Sequence, residues 1–203
     1  MEKDASTEDE ARAANPVAAR LFESRTVLLF GEITMESAQA VSAQLLALAA
    51  AGSAPIRVVV NSPGGHVESG DTLHDVLRFI DVEVNVLGTG WVASAGALVY
   101  CAVPRARRFC LPNTRFLLHQ PLGGVGGKVS DVEIEAAEMV KMRERLQRIF
   151  AEATGQPLER LVRDMDRNHW LTAREAVDYG LCGTIVRSAR ELGRGAPAVP
   201  NPR

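Results

Sequence analysis

A single hydroxyl, Ser94, stands among small residues in the stretch Gly90 to Ala97, with Ala93, Ala95, Gly96 and Ala97 around it. An apolar run, Glu83 to Gly88, precedes this stretch and another, Leu98 to Val103, follows it. A strand turning tightly into a helix there would present the serine at a helix N-terminus, where free backbone N–H groups favour negative charge. That geometry suits a nucleophile whose attack creates an oxyanion. The same small residues also suit close packing of helices. A serine at neutral pH needs a base held by a third group. Of the four histidines, His74 lies in a helical repeat and reads as a solvated helix residue. His66 lies in a turn, and His169, beside Trp170, reads as surface packing. His119 ends an apolar strand, Phe116-Leu117-Leu118, just before a glycine-rich run, so it is the histidine best placed to deliver an imidazole into a cleft.

The elements that must position these groups follow from the pattern. Arg25–Phe30 reads as a first strand, Met35–Ala51 as a helix stopped by Gly52, and Ile56–Val60 as a β-branched buried strand. Asn61-Ser62-Pro63-Gly64-Gly65 ends any regular element. His66–Ile80 is helical by spacing, and Asp81–Gly88 is a third strand. Strands alternating with helices predict an α/β fold with a parallel sheet. In such sheets sites form at strand C-termini, so the turns at Asn61–Gly65 and Gly90–Ser94 are expected to meet. Two short strands, Arg108–Leu111 and Thr114–His119, come next. The glycine-dense segment Gln120–Gly127 is either a flexible polar loop or an extended edge open to an incoming peptide. Ser130 with Glu133 reads as a capping box opening a long helix to about Ala153. Its apolar positions spread too widely for one groove, which calls for a partner subunit. Pro157–Asp166 and Thr172–Tyr179 are further helices, and Cys182–Val186 a closing strand.

Composition narrows the functional class. Lys and Arg total 23 against 25 Asp and Glu, so no basic face announces nucleic acid. No apolar run approaches a membrane span, and the charged start lacks a signal-peptide centre. Cys101, Cys110 and Cys182 lack metal-ligand spacing and read as reduced core thiols of a cytoplasmic protein. No metal and no phosphate loop is called for. The chain divides into a mobile arm over 1–17, one domain over 18–188 and a disordered tail over 189–203.

Asn61–Gly65, Ala93–Ala97, Arg108–Asn113 and His119–Gly124, with Thr154–Pro157, Arg163-Asp164, Ala176 and Tyr179–Leu181, resemble in order and spacing the Clp protease proteolytic-subunit family, ClpP. The resemblance covers about Leu21 to Val186. It implies a crotonase-like fold of repeated β-β-α units with a projecting handle at about 123–153. It also implies a homo-oligomer of two stacked heptameric rings, a tetradecamer enclosing a proteolytic chamber for polypeptide substrates. An AAA+ unfoldase, the partner that uses ATP, usually feeds the chamber; this chain itself needs no cofactor. Carried over, Ser94 is the nucleophile of a serine-type endopeptidase and His119 its base. Gly65 and Ala95 supply the oxyanion-hole amides, and Leu122, Gly123 and Gly124 pair with the substrate backbone. Asp166 and Arg167 match the ring-to-ring acidic and basic pair.

Two departures stand out. Asn168 occupies the place of the triad aspartate, and an amide brings no charge to stabilise an imidazolium. Arg57 and Val59 replace aromatic residues of the unfoldase-docking pocket, Phe79 is kept, and the arm lacks the axial-loop sequence. The alternative to an active peptidase is therefore a weakly active or inactive ring subunit that assembles with a second ClpP paralogue. An acyl-CoA enzyme of the wider crotonase class would need no Ser–His pair.

Overall fold

The computed structural model describes residues 16–192. The expected arm over 1–17 lies outside the described residues except for Pro16 and Val17, which open a helix, α1 (Pro16–Glu23), not anticipated from sequence. The expected tail lies outside them beyond residue 192, and Ala189–Glu191 within it forms a 3-10 turn.

Alternation of strand and helix builds the first half: β1 (Thr26–Phe30), α2 (Met35–Ala51), β2 (Ile56–Ser62), α3 (Val67–Phe79) and β3 (Val84–Ala93). These strands pair in parallel, in the sheet order β1-β2-β3-β4-β7, with β4 at Arg108–Cys110 and β7 at Thr184–Ile185. The third strand runs five residues beyond the expected Gly88, through Trp91 to Ala93. Its first part pairs with β4, and its extension pairs with β5 (Arg115–Leu118). A strand missed in the sequence, β6 (His169–Thr172), lies antiparallel to β5. Its central Trp170-Leu171 is too short a run to separate from the flanking helices by periodicity.

Alternate residues of β2 reveal how the sheet is covered. Ile56, Val58, Val60 and Ser62 are buried, whereas Arg57, Val59 and Asn61 are half-buried. The strand is thus not buried on both faces as its β-branched run suggested. In β1 the outward Leu28 and Phe30 are exposed, and so is Trp91 of β3. One face packs against α2 and α3; the other is partly open and carries Leu28, Phe30 and Val59 beside Arg57 and Asn61.

The short helix α4 (Ala95–Tyr100) is wholly buried behind the sheet. Tyr100 packs edge to face on Phe116, with ring centroids 5.3 Å apart, and its hydroxyl donates to the Phe109 carbonyl at 2.9 Å. Arg108 is buried without a carboxylate partner among the described residues, and backbone carbonyls satisfy its guanidinium instead. It donates to Val103 at 2.7 Å, Ala153 at 2.9 Å and Leu181 at 3.2 Å, joining the core to the base of the long helix.

The long helix α5 (Val129–Thr154) begins one residue before Ser130. Lys128 is its N-cap and no side chain caps it, so the expected Ser130–Glu133 capping box is not formed. Leu146 and Phe150 near its C-terminus are buried, while Val129, Ile134 and Val140 stay exposed. The helix is half anchored and half projecting. Beyond Gly155 come α6 (Leu158–Asp164) and α7 (Ala173–Tyr179). Capping boxes form instead at Thr34 with Ser37, opening α2, and at Thr172 with Glu175, opening α7.

Candidate active site

Two glycine-rich turns and a strand end converge, as their positions at strand C-termini required. Ser94 follows β3 and opens α4 with φ 55° and ψ −123°, a left-handed backbone that a serine adopts only under constraint. Its amide is held by the Leu117 carbonyl of β5 at 2.9 Å. Gly64 lies directly against it: a Cβ there would fall 2.6 Å from the Ser94 Cβ and 2.9 Å from the Ala93 carbonyl oxygen. Only glycine permits this approach, and φ at Gly64 is also positive.

The turn is fixed from the other side by Ile33, which donates its N–H to the Gly64 carbonyl and accepts from the His66 N–H, each at 2.8 Å. The Gly65 amide lies between these two bonds and has no partner among the described residues. Nor has the first amide of α4, that of Ala95. Two free N–H groups, one following a serine at a strand-to-helix turn and one from a neighbouring loop, are the donor types that an oxyanion site uses.

His119, just past β5, lies with Nδ1 3.2 Å from the Asn168 Oδ1; an amide oxygen only accepts, so Nδ1–H is the donor and the ring carries its proton there in this pairing. The turn bearing Asn168 is tied to the same strand end. Gln120 donates from its backbone to Met165 at 2.8 Å and from its side chain to Asp166 at 2.9 Å. Behind it, Asp164 accepts the Tyr179 hydroxyl at 2.8 Å and lies 3.3 Å from Arg160. Burial first, and then that hydrogen bond, hold the Tyr179 phenol well above its usual range, so it stays a donor. Asp164 is thus engaged elsewhere, and Asp166 is exposed beside Arg167 at 4.0 Å. Among the described residues no carboxylate is hydrogen-bonded to His119.

Ser94 and His119 line one narrow cavity, closed by Leu98, Leu118, Leu146 and Phe150. Their side chains are not hydrogen-bonded to each other in the single protomer. Leu146 and Phe150, four apart on α5, were legible in sequence only as two among many apolar positions of that helix. Leu122, Gly123 and Gly124 lie in an exposed segment without regular pairing, Leu122 being 81% exposed. His66 is exposed and bonds Ser69 at 2.8 Å. His169 packs half-buried on Tyr179. His74 is a correction: it is buried, at 7% exposure, not solvated. The three cysteines are free and buried, and among the described residues no group of His, Cys, Asp or Glu is placed to hold a metal.

The family model for Clp protease matches residues 8–189. An ATP-dependent Clp protease proteolytic subunit 3 of Rhizobium etli is 60% identical over 174 residues, spanning 86% of this chain and 90% of the relative. A proteolytic subunit 2 of Gluconobacter oxydans is 59% identical over 175 residues, spanning 85% of this chain and 78% of the relative. Among solved structures, ClpP1 from Listeria monocytogenes shares 48% identity at a TM-score of 0.79, covering 87% of this chain and 99% of that one. An asparagine-to-aspartate variant of the same protein superposes at 0.82 with the same identity and coverage.

Proposed function

Since this chain belongs to the Clp protease family, we propose that it is the proteolytic subunit of an ATP-dependent Clp protease, a serine-type peptidase cutting unfolded polypeptides inside a ring-built chamber. The convergence of Ser94, His119 and Ala95 on one cavity, with the Gly64–Gly65 turn packed against Ser94, carries this reading. In the reaction the Ser94 oxygen attacks the scissile carbonyl as His119 takes its proton. The oxyanion is held by the Gly65 and Ala95 N–H groups. Collapse breaks the C–N bond, the imidazolium returns the proton to the leaving amine, and water then hydrolyses the acyl-serine by the reverse roles. Asn168 orients the ring but adds no charge to it. The exposed segment Leu122–Gly124 offers backbone groups to an extended substrate, as an added strand would use them.

The exposed Leu28, Phe30 and Trp91 of the outward sheet face and the projecting half of α5 support ring assembly, because an isolated protomer would expose both to water. Asp166 and Arg167 are assigned to contact between rings, giving a tetradecamer. ATP belongs to an AAA+ unfoldase, not to this chain, and the half-buried Arg57 and Val59 favour a mixed particle in which a second paralogue supplies the docking face. No helix of the described residues is long and apolar enough to cross a membrane; a cytoplasmic setting fits the three free thiols.

A fluorophosphonate probe tests the reading. Ser94 is expected to be labelled in the assembled protein and Ser94→Ala is not; absence of label, alone and with a sister subunit, overturns it. A second reading, a weakly active ring subunit that assembles with or regulates an active paralogue, is favoured by Asn168 together with Arg57 and Val59.

A further inference from the structure

The two tryptophans of the chain meet although they are 79 positions apart. Trp91 and Trp170 pack edge to face, with ring centroids 6.0 Å apart at 73°, and the Arg115 guanidinium lies 4.4 Å over the Trp170 ring. An irregularity in β3 makes this possible. Val60 pairs with Gly88, but Ser62, two residues on, pairs with Val92, four residues on. The excess forms a bulge in which Gly90 takes φ +55° and the Trp91 N–H donates to the Asn61 side chain at 3.1 Å. The two extra residues preserve the in–out alternation of β3, so Trp91 stays on the outward side with Leu87 and Thr89 while the strand goes on to Val92 and Ser94.

Register places the three groups on one face of three adjoining strands. Trp91 pairs with Arg115, and Leu117 pairs both with Ala93 and with Trp170. Each strand delivers one site position: Ser94 follows β3, His119 follows β5, and Asn168 precedes β6. The Trp91–Trp170 contact crosses over β5 to join the two outer strands directly. Asn168 gives the imidazole a neutral hydrogen bond where a carboxylate would give a charge-assisted one of about twice the strength. Strand placement must then supply more of the ring's orientation.

We infer that Trp91, Arg115 and Trp170 form a positioning brace that fixes the relative placement of the Ser94, His119 and Asn168 strand ends. The inference rests on the peptidase reading above. None of the three touches substrate, and the brace acts through the strands it joins.

The test uses the full chain in its assembled form, with Trp91→Ala, Trp91→Phe, Trp170→Phe and Arg115→Met. Trp91→Ala should lower kcat and the rate of Ser94 labelling by about ten-fold or more, the scale set by small misplacements of reacting groups. KM should stay unchanged, and Trp91→Phe should restore most of the rate. The wild type should show an exciton-coupled tryptophan ellipticity that either phenylalanine variant abolishes. Tryptophan emission should also shift when the fluorophosphonate occupies Ser94. If Trp91→Ala and Arg115→Met assemble normally yet label at the wild-type rate, the brace is overturned. A loss that merely tracks the dissociated fraction overturns it too and gives the patch to subunit contact. Wild type that never labels removes the peptidase reading first, and this inference with it.

Discussion

The backbone N–H of Ser94 donates to the carbonyl of Leu117 at 2.9 Å, two residues before His119. The proposed nucleophile and its proposed base are therefore set by one peptide contact between β3 and β5. Their side chains line a common cavity with no hydrogen bond between them. A small movement of either strand end would therefore decide whether the two side chains can bond.

The first consequence concerns Asn168. Its carbonyl oxygen holds His119 at Nδ1 across 3.2 Å but brings no charge to the imidazolium formed during attack. Asn168→Asp should raise kcat by tens-fold in the assembled protein. The reverse exchange in the serine-protease template costs about 10⁴-fold, which bounds the gain. Peptide turnover and Ser94 labelling measure it; an unchanged kcat would show that charge at this position does not limit the rate.

Gly64 supplies a sharper test of the convergence. Alanine there would press its Cβ against Ser94 and the Ala93 carbonyl while holding a positive φ. Gly64→Ala should cut acylation by at least about 10²-fold, as expected when a reacting group is displaced. Gly126→Ala, where a Cβ meets nothing within 4 Å, is the control. Equal labelling of the two variants would refute the contact.

Much of this arrangement was legible in the chain. The punctuation at Asn61–Gly65, the small residues about Ser94 and the apolar strand before His119 each have a local physical signature, and their placement at strand C-termini follows from α/β topology. What was hidden is long-range. Ile33 tying down the glycine turn, Leu117 holding the serine amide and Phe150 flooring the cavity depend on contacts that no local pattern encodes. His74 was misread because its helix buries a polar stripe, Ser69 and Gly70 with His74, against α4. The capping box was misplaced because Lys128 already starts the helix.

The cavity beside Ser94 predicts selectivity. Leu98, Leu118, Leu146 and Phe150 offer an accepting residue no ionic partner, and an unpaired charge placed there would be desolvated. Peptides with a small apolar residue before the scissile bond should exceed those with Lys or Asp by about 10²-fold or more in kcat/KM. A peptide series differing only at that residue decides it.

Asp166 and Arg167 are 71% and 94% exposed and 4.0 Å apart, a geometry that adds little to the fold of one protomer. Asp166→Ala with Arg167→Ala should leave thermal unfolding of the subunit unchanged yet halve the native particle mass. An intact double ring in the double variant would remove them from the ring contact.

The thiols give the last prediction. Burial pushes Cys101 up to about 11, with Arg108 opposing in part. The hydrogen bond with Cys182, and then burial, hold Cys110 well above the ordinary thiol range. A raised thiol pKa means that the fold favours the neutral form. The stability this contributes is complete below the ordinary value of 9.0 and is lost as pH climbs through about 11. Iodoacetamide near neutral pH should therefore leave the folded protein unmodified at Cys101 and Cys110. The same reagent in denaturant should alkylate all three cysteines. Mass spectrometry reads both states, and rapid modification of Cys101 in the native protein would mean that the core about Arg108 opens far more readily than its carbonyl bonds imply.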